Sequence, residues 1–229
     1  MSQYAQPASV STQSVEVRAE FIVNTYKHLF GAILAFTGLE AALFATGLAP
    51  VIAEAMLSVN WLFILGAFMI VGWFGTRVAY SSPSKPAQYA ALAAYVVAQA
   101  LIFVPLLYIA NFYAPGTIQS AAVVTLIGFS ALTALVFWSR KDFSFLGSLL
   151  KWGFIVALVL IVAGVAFGFE LGTFFSVGMI ALAGGAILYD TSNILHHYPE
   201  DRYVAASLSL FASVALLFWY VLSLFLSRD

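Results

Sequence analysis

The 54 residues 86–139 contain no Asp, Glu, Lys, Arg or His. A membrane-spanning helix uses about 20 apolar residues, so this stretch is too long for one crossing. It divides at 111–119, where Tyr113-Ala114-Pro115-Gly116 has the chemistry of a turn. Two spans are predicted there, over 87–110 and 117–138. The same reading, with charges and Pro/Gly/Ser clusters as punctuation, places five more at 24–48, 60–80, 149–168, 172–195 and 203–226. Only 8% of the chain is charged and 63% is hydrophobic, against about 25% charged in a soluble domain. So few charges cannot cover a water-facing surface, so lipid is the expected solvent. In lipid each backbone amide must be satisfied within its own segment, which makes the runs helices. A β-barrel would alternate polar and apolar residues, and the run from Ile155 to Val162 does not. The expected fold is an all-α bundle of seven transmembrane helices forming one domain over 21–229.

Residues 1–20 are polar and lack the basic-then-apolar layout of a cleaved signal peptide, so they read as a flexible cytoplasmic tail. The first span would then act as an uncleaved anchor. Lys and Arg near the span ends set orientation. One side collects Arg18, Lys27, Arg77, Lys85, Arg140, Lys141, Lys151 and Arg202, and the other only Arg228. This predicts a cytoplasmic N-terminus and an outside C-terminus. Were the last span to re-enter, the C-terminus would return to the cytoplasm. With a net charge of -1, no basic field recruits nucleic acid. The chain has no Cys, no nucleotide, zinc or serine-hydrolase motif and no nucleophile–base pair. Neither an enzyme nor a cofactor site is expected.

Charged groups inside a membrane are expensive, and three need a reason. Arg77 lies near the end of the second span and Asp190 near the end of the sixth, at similar depth. If those helices are neighbours the two can pair, either as a protonation-linked switch or as a static tie. Arg77 can instead extend its guanidinium into the headgroups. Glu40 lies in the outer half of the first span, where a role in an ion path and a helix–helix hydrogen bond are both open. Ala205, Ser209 and Ser213 step by four along one face of the last span. They form either a close-packing face or, through Ser209 and Ser213, part of a polar path. His196 and His197 point about 100° apart on a helix and rarely share a metal, so no metal site is predicted. Asp201 is expected to cap the last span, and Pro105 to kink the third.

Three stretches together carry a resemblance. Tyr189-Asp190-Thr191 within 187–194 resembles a signature of the Bax inhibitor-1 family. The run 203–211 with Leu216-Leu217-Phe218 resembles that family's last span, and 139–147 its fourth loop. The likeness runs from about residue 20 to 226 and is nearest in style to the bacterial, YccA-like members. It implies an inner-membrane bundle with the last helix central. It also implies one of two roles: a pH-sensitive calcium or proton leak, or modulation of a membrane-bound AAA protease of the FtsH type. In the family pattern the aspartate of the triplet pairs with a second aspartate on the last helix, and a basic residue of the second helix latches them. Asp190 matches the first position and Arg77 the basic one. The second aspartate is missing, and Ser213 stands in its place. Two close carboxylates share a proton because both cannot comfortably ionise, which one carboxylate and one hydroxyl cannot do. Ca²⁺ also prefers several anionic oxygens. The departure weakens the leak reading and leaves the fold untouched.

Overall fold

The computed structural model describes residues 9–227. After a single 3-10 turn at Val10–Thr12, the helices are α1 Val15–Ala45, α2 Leu48–Leu57, α3 Trp61–Ser81, α4 Lys85–Tyr113, α5 Thr117–Ser139, α6 Leu146–Phe167, α7 Gly172–His196 and α8 Tyr203–Leu226. All but α2 are long and apolar enough to cross a membrane. The shortest of these seven, α3, has 21 residues, about 31 Å at 1.5 Å per residue, which matches a hydrocarbon core of roughly 30 Å.

The last helix is central. α8 packs against α7, α1, α5, α4 and α3. Its fully covered side chains include Val204, Leu208, Leu210 and Leu222. α4 is its equally buried neighbour, holding Phe103, Val104 and Ala110 out of contact with any solvent. The outer helices present large apolar side chains to the surroundings, among them Phe63, Trp73, Trp138, Trp152 and Phe174. Such a surface is stable only in lipid. α8 is one uninterrupted helix of 24 residues, the length of a full crossing, and does not fold back as a re-entrant segment would.

Three sequence expectations change. First, the residues from Ser9 to Glu20 are folded. Ser14 caps α1, its hydroxyl accepting from the Val17 N–H, so the helix begins at Val15. Ahead of it, the Val10 N–H donates to the Tyr198 carbonyl at 2.9 Å, and the Ser9 hydroxyl donates to the His196 carbonyl at 2.7 Å. Val10 is 1% exposed, and this one apolar side chain anchors the segment. The rest of the expected tail lies outside the described residues. Second, the chain turns after α1 at Gly47, whose φ of 74° suits glycine. Pro50 then sits within the first turn of α2, where its missing N–H is harmless. The Ala49-Pro50 stop signal thus opens a short helix, packed on α1 and α4 through Ala49, Ala53 and Val104. Third, Arg202 rather than Asp201 occupies the cap position of α8, and among the described residues no side chain bonds the α8 N-terminus. The Asp201 carboxylate lies 3.3 Å from the Arg202 guanidinium instead.

Candidate functional site

The seam between α7 and α8 brings two of the expected residues together. The Ser213 hydroxyl donates to Asp190 Oδ2 at 2.6 Å. Asp190 is half-buried and Ser213 is buried. Both line a cavity of about 400 Å³ with Thr76, Tyr189, Ser209 and Lys151. The Ser209 hydroxyl is also engaged, 3.1 Å from the Tyr198 hydroxyl. The helices can enclose this space because α6 enters it with a glycine. A Cβ at Gly147 would sit 2.9 Å from the Tyr189 ring.

Arg77 does not join this site. It is exposed on α3, with its guanidinium 5.2 Å from the centre of the Trp73 ring, one turn away on the same outward face. The expected Asp190–Arg77 ion pair is absent. The reason is helix rotation. α3 lies at the bundle edge with only Ala79 buried, and its neighbour Thr76, not Arg77, faces the cavity. The cation that does line the space is Lys151. It is not within ion-pair distance of Asp190. The sequence held a signal for it. Gly147, Leu150, Lys151 and Phe154 have helical i, i+3, i+4, i+7 spacing and all line the cavity.

A second cavity, about 490 Å³, occupies the other half of the bundle, lined by Trp61, Glu170, Trp219 and Tyr220 among others. The two spaces have Phe68, Gln99 and Leu216 as common walls. Gln99 is 6% exposed and its side-chain carbonyl has no hydrogen-bond partner.

Glu40 sits apart from both. It is 7% exposed, and neither carboxyl oxygen has a partner. It lines a third, largely apolar space of about 230 Å³ between α1, α4, α5 and α8, together with Thr125, whose buried hydroxyl is also unpartnered.

Below the first cavity, the α5–α6 loop is tied to the end of α7. Asp142 Oδ1 accepts from the Ser144 N–H at 2.8 Å, and Oδ2 lies 2.9 Å from His197 Nε2. The Ser192 hydroxyl accepts from the Phe143 N–H at 2.8 Å and donates to Asp142 at 3.3 Å. The Ser144 N–H, chief among these contacts, holds the Asp142 carboxyl well below the usual carboxylate range. Among the described residues no three His, Asp or Glu side chains cluster as metal ligands.

The loop, the Tyr-Asp-Thr triplet and the central helix now stand in one arrangement. The family described as Inhibitor of apoptosis-promoting Bax1 matches residues 18–229. The chain belongs to the Bax inhibitor-1 family. It is 33% identical over 168 residues to the Modulator of FtsH protease YccA of Escherichia coli (strain K12), covering 70% of this chain and 75% of that protein. The same protein in another E. coli strain is named Inner membrane protein YccA. A more distant likeness, 32% over 126 residues, is to the Golgi anti-apoptotic protein of vaccinia virus, covering 51% of this chain and 49% of that one. This Bax inhibitor-1 family member is accordingly a multi-pass inner-membrane protein. At its centre is the hydrogen bond from Ser213 to Asp190.

Proposed function

We propose that the protein modulates a membrane-bound AAA protease of the FtsH type and does not itself catalyse a reaction. The support is the 168-residue likeness to a protein named as such a modulator. The charge pattern is consistent with it. The positive-inside bias puts the end bearing Arg18, Arg140, Lys141 and Arg202 in the cytoplasm, where an ATP-driven protease has its fuel. Ser9, the first described residue, is on the same side and is bridged to Pro199. Removing residues 2–8 leaves the Val10 anchor in place and tests whether the start of the chain is what the protease engages. Detergent co-purification with the protease should be lost in that variant and kept by the full chain. A full chain that never co-purifies overturns the proposal.

A second reading rests on the two cavities that meet at Phe68, Gln99 and Leu216. In this reading the protein lets H⁺ or Ca²⁺ leak past Asp190. Protons are the better match to the site, because a lone carboxylate with hydroxyls is a poor Ca²⁺ ligand set. Liposomes carrying the protein should then leak protons faster than empty ones, and Asp190→Asn should change the rate. Flux equal to that of empty vesicles rules this reading out.

A further inference from the structure

The α1 N-terminal turn, the end of α5 and the end of α7 enclose a cavity of about 400 Å³ that neither reading above uses. Arg18, Arg140 and His196 line it, with Val15, Ile22 and Phe137 as apolar walls, and no acidic side chain does. Neither arginine is in an ion pair among the described residues, and His196 Nε2 is buried without a hydrogen-bond partner. The acids nearest Arg18 along α1 are Glu16 and Glu20. Each lies two positions away, and residues so spaced do not share a helix face. Asp142, two residues from Arg140, is already held by Ser144 and His197.

Helix dipoles do not account for this set. A cation at a helix C-terminus is favourable, which suits Arg140 after α5 and His196 at the end of α7. Arg18 is the fourth residue of α1, at the end where a cation is disfavoured. The backbone supplies a separate observation. Five described residues have positive φ; four are glycines, and the fifth is Arg140 at 52°. Arg140 ends α5 as its C-cap, its N–H bonded to the Val136 carbonyl, which is how many helices stop and which fixes its backbone at the cavity edge.

We propose that this cavity binds the phosphate of an anionic phospholipid. Arg18 and Arg140 would pair with the phosphate oxygens, with His196 lining the cavity beside them. The apolar walls would take the start of the acyl chains. Two guanidiniums without a counter-ion, Arg140 exposed and Arg18 half-buried, favour an anion between them, and apolar walls at a span end fit a lipid better than a soluble phosphate.

The test is native mass spectrometry of the detergent-solubilised full chain with dioleoyl-phosphatidylglycerol or dioleoyl-phosphatidylcholine. The protein should retain the anionic phosphatidylglycerol preferentially. Arg18→Gln with Arg140→Gly should weaken that retention by roughly tenfold or more, as two basic groups near a lipid surface imply. Glycine accepts the backbone conformation at 140, so Arg140→Gly alone should fold and show a smaller loss even if the double variant does not fold. Lys27→Gln, an exposed cation on the same helix, should change nothing. Equal retention by Arg140→Gly and the unaltered protein, or equal retention of the two lipids, overturns the proposal. So does displacement of the lipid by inorganic phosphate at equal concentration, which would assign the site to a soluble anion.

Discussion

Asp190 and Glu40 are both carboxylates within the bundle, yet their surroundings differ. Asp190 receives a hydroxyl at 2.6 Å and shares its cavity with Ser209 and Lys151. Glu40 has no hydrogen-bond partner for either oxygen, in a space walled mainly by residues such as Phe36, Leu107 and Phe218. A buried polar group without a partner costs free energy, and one with a partner recovers most of it. The comparison teaches that the first acid belongs to a built polar site and the second is tolerated against the fold's interest.

Substitutions can break that contrast. Ser213→Ala removes the only hydroxyl bonded to Asp190 among the described residues and should destabilise by about 1–3 kcal/mol, read as thermal unfolding in detergent. An unchanged midpoint would mean that Asp190 needs no partner either. Glu40→Leu should go the other way, stabilising by about 1–2 kcal/mol, because it removes an unpartnered group and fills apolar space. A loss of stability there would reveal a partner for Glu40 and end the contrast.

Outside the membrane, Asp142 offers a pH-dependent comparison. Its native carboxyl titrates below the ordinary range, whereas an unfolded Asp titrates near about 3.9. The stability it adds is therefore full above that range and lost as pH falls through it toward the native value. Asp142→Asn should be less stable than the unaltered chain near neutrality, and the gap should close on acidification below about pH 4. A gap that stays constant with pH contradicts the assignment. The smallest effect is expected for Arg77→Gln, within about 0.5 kcal/mol, since Arg77 is exposed and touches Trp73 rather than Asp190. A loss of several kcal/mol would restore the latch.

The spans were legible because charges, Pro and Gly mark their ends, and α5 and α8 differ from the sequence reading by a residue at most. Which face of each helix looks inward was much less legible. In water an inward face is apolar and an outward one polar, but lipid is as apolar as a protein core. α3 and α4 have similar hydropathy, 1.8 and 2.2, yet α3 is 6% buried over its most apolar window and α4 61%. That is why, from sequence, Arg77 reads as a site residue and Lys151 only as an end charge. Ser209 and Ser213 are legible from their four-residue spacing on one face of the last span, and the family resemblance singles out Ser213 as well. The Val10 anchor and α2 escaped notice because one buried valine in a polar stretch, and ten residues opened by a proline, resemble a tail and a loop.

The most direct test is proteolysis of a membrane substrate by the FtsH-type protease in co-reconstituted vesicles, with and without this protein. The account expects degradation to slow or change in rate when the protein is present and to return to the basal rate when it is omitted. Degradation at one rate in both cases, with the protein folded and inserted, contradicts it.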